Sequence, residues 1–150
     1  MSPKECLQQI VMGVQSDLAE YQQLKRLLNE QHNLLRRRDV RILSDLLTRQ
    51  QELVNRLQKN ANLRSELLAE LGLNADDHGM SVLLERLPAP LVGRLSPQWR
   101  HLKDLVNQCK HQNDVNGRVL LTQYEVIKRM LYGEPNPDYS PMLPGNNAPY

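Results

Sequence analysis

The chain has 150 residues, enough for one domain with or without a tail, and a formal net charge of +2, too small to make nucleic acid or an anionic membrane the default partner. No stretch approaches the roughly 20 apolar residues of a membrane span, and the N-terminal MSPKECLQQI lacks the apolar run of a signal peptide. With 28 leucines, no phenylalanine, much Gln and Asn, and little Gly outside element ends, the composition is that of long helices rather than sheets.

Ser2-Pro3-Lys4-Glu5 opens the first helix: Ser2 caps, Pro3 suits the first helical position, and Glu5 stands where a capping box needs it. Apolar residues follow at Leu7, Val11, Val14, Leu18, Tyr21 and Leu28, widened by Ile10, Leu24, Leu27 and Leu35. Their steps of three and four describe one helical face, running to about residue 37. No Gly or Pro marks the next break. It is read from Asp39, a candidate N-cap, and from Arg36, Arg37 and Arg38, which suit the negative end of a preceding helix.

The second helix carries Val40, Leu43, Leu46, Leu47, Leu53, Val54, Leu57, Leu67, Leu68 and Leu71, and Gly72 is placed to stop it. Joined by a short turn, the first two helices are expected to fold back as an antiparallel hairpin. LNADDHG then reads as a loop with capping residues, and SVLLERL as a short helix ended by Pro88 and Pro90. Ser96-Pro97 reads as the start of a third long helix. Its stripe is Trp99, Leu102, Leu105, Val106, Cys109, Leu120, Tyr124, Ile127 and Leu131, and Gly133 ends it. The fold expected is all-α: an antiparallel bundle of three long helices with a short connecting helix over residues 1–132. Residues 133–150 hold five of the nine prolines and no basic residue, and read as a flexible tail.

Chemistry is scarce. There is no phosphate-binding glycine-rich loop. His32, His78, His101 and His111 do not pair at helical spacing with another good ligand, and Cys109 and His111, two apart, fall on different helix faces. Asp76-Asp77-His78 is better explained as a capping loop than as an acid–base pair. Neither an enzyme nor a metal or other cofactor is expected. The two cysteines, Cys6 and Cys109, are not paired by spacing, so a reduced, cytoplasmic protein is the simplest reading. Arg36, Arg37, Arg38 and Arg41 form the basic cluster. It reads first as a solvated helix end, with phosphate contact as the alternative.

The middle of the third helix is more informative. Its stripe should pass through Gln112, Asn113 and Asn116, which are polar, followed by Gly117. Two compatible readings stand. Polar core positions fix register in a bundle. Alternatively, Gly117 and its small polar neighbours let another helix approach, leaving Val119 to Leu131 as a docking surface. A Leu-rich bundle of only three long helices also tends to leave a groove that an amphipathic partner helix completes.

Over about residues 20–133 the chain resembles the FlgN-type flagellar export chaperones. The resemblance is carried by LLNEQHNLLRRRDVRILSDLLTRQQELVNRL, by LRSELLAELGL followed by GMSVLLERLP, by the Gln/Asn-rich LVNQCKHQNDVNGRVLLTQ, and by LYG at the end of the last helix. It departs at Gln51, where relatives often have a basic residue, and in its short proline-rich tail. The resemblance implies a cytosolic chaperone of the hook–filament junction proteins FlgK and FlgL. Such a chaperone holds their C-terminal amphipathic segments and delivers them to the export gate through the cytoplasmic domain of FlhA. The client face would comprise Asn113, Asn116, Gly117, Leu120, Tyr124, Ile127 and Met130. By motif, Tyr132, with Leu131 and Gly133 beside it, would make the gate contact. Without the resemblance, Tyr132 reads as packing on the helix end. The alternatives are a helical nucleic-acid-binding protein using Arg36 to Arg41 and a self-associating coiled-coil scaffold. No nucleic-acid partner and no membrane insertion are expected.

Overall fold

A computed structural model describes the backbone of residues 1–132 and the side chains of residues 1–119. It contains α1 (Pro3–Arg37), α2 (Val40–Glu70), α3 (Asp77–Arg86) and α4 (Ala89–Tyr132), with no strand among the described residues. The expected tail, 133–150, lies outside them.

Local chemistry accounts for most helix ends. At α1 the Glu5 amide donates to Ser2 Oγ at 3.2 Å and the Ser2 amide to Glu5 Oε2 at 3.3 Å, completing the capping box with Pro3 as the first helical residue. Both long hairpin helices close with the same double bond. At α1 the Asp39 amide donates to the Leu34 carbonyl (3.0 Å) and Arg38 to Leu35 (3.2 Å). At α2 the Leu73 amide donates to Leu68 and Gly72 to Ala69, both at 2.9 Å. The residue that turns the chain is Gly72 (φ 76°) in α2 but Arg38 (φ 56°) in α1. A left-handed turn without glycine explains why the sequence shows no obvious break there. Asp39 precedes α2 as expected, but its side chain makes no capping hydrogen bond.

The start of α4 differs from the sequence reading. The helix begins at Ala89, not at Ser96-Pro97, so Pro97 lies inside it. Pro88 ends α3, but its carbonyl accepts from the Leu91 and Val92 amides at 3.0 and 3.1 Å, starting the next helix. Pro90 then sits in the first turn, where no amide is required. Gly93 and Pro97 are both exposed, so the carbonyl that Pro97 cannot satisfy faces water. The added turns bury Leu95, only 2% exposed.

Pairwise contacts fix the directions. Asp17 of α1 meets Asn60 and Arg64 of α2, and Leu27 meets Gln50, so position rises on one helix as it falls on the other: these two are antiparallel. Between α1 and α4, Cys109 meets Tyr21 and Asn116 meets Leu28, both at an offset of 88 residues, so these helices run parallel. The bundle is therefore up–down–up. Helix α1 packs along both α2 and α4, while among the described residues the backbones of α2 and α4 hardly approach each other.

The core is the joint product of all four helices. Ile10, Val14, Leu24 and Leu28 of α1, Leu46, Leu53, Leu57 and Leu68 of α2, Met80 of α3, and Leu95, Leu102 and Cys109 of α4 are each no more than 2% exposed. Each such leucine contributes about 1.5–3 kcal/mol on burial, and truncating one, Leu53→Ala for example, costs about 2–5 kcal/mol. The centre of the α1 stripe runs through Ile10, Val14, Asp17, Tyr21, Leu24 and Leu28, so Leu7, Val11 and Leu18 lie at its half-buried margin. Val40, expected on the inner stripe of α2, is instead 74% exposed.

Candidate functional site

The polar break in the α4 stripe is the meeting point of three helices. Asn116 is only 2% exposed. Its amide nitrogen donates to the Leu28 carbonyl at 2.8 Å and to Gln31 Oε1 at 3.2 Å. Its own Oδ1 accepts from Gln112 Nε2 at 2.9 Å. From α2, Gln50 Nε2 donates to the same Gln31 Oε1 at 3.0 Å and to the Leu27 carbonyl at 3.3 Å. Four side-chain amides thus link α4, α1 and α2 in one layer. The register-fixing reading of Asn116 is realised directly: the layer satisfies its members in one alignment of the helices and leaves buried amides unpaired in any other. Gln31 and Gln50 were missed in the sequence. The available signal was Gln31 itself, three and four residues beyond the buried Leu28 and Leu27.

The sequence-predicted residues separate along α4. Asn113 is half-buried, whereas Asn116 and Gly117 are buried beside α1, so their surfaces are already covered. Leu120, Tyr124, Ile127, Met130, Leu131 and Tyr132 belong to the helix, but their side chains lie outside the described residues, as does Gly133. In sequence, Asn113, Asn116, Leu120, Tyr124, Ile127 and Leu131 recur at steps of three and four, the spacing of one helical face.

A second polar cluster links all four helices. Asp17, 1% exposed, accepts from Asn60 Nδ2 at 2.9 Å and from Arg64 Nη1 at 2.8 Å. The Arg64 guanidinium lies 5.1 Å above the centre of the Trp99 ring, a cation–π contact. Trp99 Nε1 donates to Asp77 Oδ1 at 3.1 Å, and Lys103 Nζ is 3.4 Å from the same oxygen. Asp76 caps α3 by accepting from the Gly79 amide at 2.9 Å, so the Asp-Asp-His loop is indeed a capping device. Arg64, Asp76, Asp77, Trp99 and Lys103 border a cleft of about 330 Å³ with Tyr21, Met80 and Leu102 among its apolar walls. Each of these five already has an internal partner, which is the arrangement of a structural brace.

Cys109 is fully buried and its thiol points at the Tyr21 carbonyl, 3.7 Å away, while His111 is exposed, so the two share no site. Burial pushes the Cys109 thiol up to about 11, with Lys25 opposing. The Cys6 thiol is also raised, by burial first and by neighbouring Glu70 next. Neither is poised as a nucleophile. Among the described residues no three His, Cys, Asp or Glu side chains gather as a metal site would require, and no helix is long and apolar enough to cross a membrane.

Fold and polar layer together define an all-α helical-bundle protein whose long helices are locked in register by buried side-chain amides. The sequence pattern of the FlgN protein family matches residues 1–132, and the chain belongs to that family. The family is one of flagellar synthesis chaperones, not of enzymes. In structure the chain is similar to a flagella synthesis protein FlgN from Pseudomonas aeruginosa, with 27% identity, a TM-score of 0.66, and coverage of 80% of this chain and 88% of that one. Among curated proteins nothing matches.

Proposed function

We propose that this protein is an export chaperone for the hook–filament junction proteins FlgK and FlgL, acting in the cytoplasm. In this reading the C-terminal part of α4 takes the amphipathic segment at the client's C-terminus, and the Leu131-Tyr132-Gly133 end docks on the cytoplasmic domain of FlhA.

The observation that carries the reading is the register of α1 against α4. At the offset of 88 residues seen at Cys109 and Asn116, the last residue of α1, Arg37, comes level with Glu125. About two further turns of α4 remain before Tyr132. Beyond that level the stripe of Ile127 and Leu131 has no α1 to meet, and an amphipathic helix is the natural complement of an apolar helical stripe. The overhang carries Ile127 and Met130 of the client face, and Asn113, Leu120 and Tyr124 would lead up to it along the part of α4 that runs beside α1. Asn116 and Gly117 serve it indirectly, by holding α4 in place. Tyr132 suits the gate contact because tyrosine presents apolar area and a hydroxyl at low entropic cost.

Calorimetric titration with the C-terminal helices of FlgK and FlgL, and separately with the FlhA cytoplasmic domain, tests this. Ile127→Asp is expected to weaken client binding at least about tenfold, while Tyr132→Ala keeps client binding and loses FlhA docking. Loss of client affinity in Tyr132→Ala with docking intact would overturn this division of labour. Absence of binding to both clients would overturn the assignment itself.

A further inference from the structure

The α1–α2 turn carries an exposed apolar pair among four arginines, with the half-buried Asp39 the one acidic residue between them. Val40 is 74% and Ile42 49% exposed, the largest bare aliphatic surface near either end of the hairpin turn. Arg36, Arg37, Arg38 and Arg41 surround them in sequence, all exposed, and none forms an ion pair with a described carboxylate. The left-handed Arg38 makes the turn tight, so these residues sit together at one end of the hairpin. The helix ends add to the pattern. The first turn of α2 holds no acidic residue, and Asp39 does not cap it, so the amides at its positive end remain open to an external anion.

We propose that this tip is a peripheral membrane contact that takes the headgroups of anionic lipids, with Val40 and Ile42 seated at the headgroup–acyl boundary. Three features select this partner. Arginines near an anionic surface each add to the attraction, and a bilayer demands no shape complementarity from the surface it receives. A stable protein partner would need about 800 Å² of matched surface on each side, whereas the bare aliphatic surface here is two side chains of one turn. A nucleic acid would use the arginines, but the tip has no aromatic side chain to stack bases, and Val40 and Ile42 would gain nothing from a phosphate backbone. The overall net charge of +2 conceals this concentration of charge at one end of the molecule.

The test is flotation of the full chain with vesicles of pure phosphatidylcholine and with vesicles containing about one-third phosphatidylglycerol. Binding is expected only to the anionic vesicles, declining as salt rises. The triple variant Arg36→Gln/Arg37→Gln/Arg41→Gln should bind at least about tenfold less. The pair Val40→Ser/Ile42→Ser should lose several-fold with an unchanged circular-dichroism melt, because both side chains are already in solvent. Three results would overturn the proposal: no binding to anionic vesicles at low salt; equal binding to both vesicle types; or capture of a mixed-sequence single-stranded RNA more tightly than vesicles, with the Val40/Ile42 pair variant unchanged in both assays.

Discussion

The amide of Asn116 donates to the main-chain carbonyl of Leu28 across 2.8 Å, and this bond sets how far α4 is advanced along α1. Both residues are at most 2% exposed, so a shift of one turn would leave a buried amide without a partner. Everything further along α4 inherits that alignment.

Replacing Asn116 by Ala is expected to cost about 1–3 kcal/mol, since Gln112 loses its acceptor and Gln31 one of its two donors. Asn116→Leu should recover part of that stability while loosening the register. Urea denaturation measures the first effect. Disulfide trapping between cysteines placed at matched and at one-turn-shifted positions of α1 and α4 measures the second.

The Asp17–Arg64 pair predicts strong non-additivity. Arg64→Ala leaves the Asp17 carboxylate buried with only Asn60 as donor, an expected loss of about 3–5 kcal/mol. Asp17→Leu combined with Arg64→Met should be far less damaging than the two single changes summed. A double-mutant cycle by chemical denaturation reads the coupling. Simple additivity would show that the pair is not a brace.

Two backbone positions should both favour glycine, so adding it at one and removing it at the other should change stability with opposite signs. Arg38 holds a left-handed conformation that glycine adopts without penalty, so Arg38→Gly is expected to raise stability by about 0.5–1 kcal/mol. Gly79 lies directly beneath the Asn74 carbonyl, leaving no room for a Cβ. Gly79→Ala must push the loop before α3 aside, at a cost of at least about 1 kcal/mol. Thermal melts of both variants check the pair of signs.

Cys109 makes stability fall in alkali. Its thiol is raised from 9.0 to about 11 in the folded state. Between those values the unfolded chain releases the proton that the folded chain retains, so unfolding is favoured progressively as pH rises across that window. Stability measured from pH 8 upward should decline less steeply in Cys109→Ala than in the wild type. At pH 8 the thiolate fraction is about one in a thousand, so a thiol reagent should modify Cys109 only on unfolding.

Much of the fold was legible without coordinates. The capping box at Ser2, the glycine stop at Gly72 and the leucine spacing along α1 and α2 each express an energy confined to one or two helical turns. The start of α4 was not legible, because Ser96-Pro97 carries a strong local signal that burial of Leu95 overrides. Asp17 reads as an interruption of an apolar stripe until Asn60 and Arg64 are seen beside it. The candidate site divides in the same way. The polar break at Gln112, Asn113 and Asn116 was visible as a pattern, but not its partners on two other helices.

The sequence by itself determined that the chain forms long helices, where the first two end, and that their apolar faces need one another. Only the tertiary structure decided that α4 runs parallel to α1, which polar side chains complete the core, and that Val40 and Ile42 are left in solvent among arginines. The physical reason is range. Capping and periodicity act between residues three or four apart, whereas the bonds that align α4 join residues 88 apart, and their strength depends on a buried setting that exists only once all three long helices are packed.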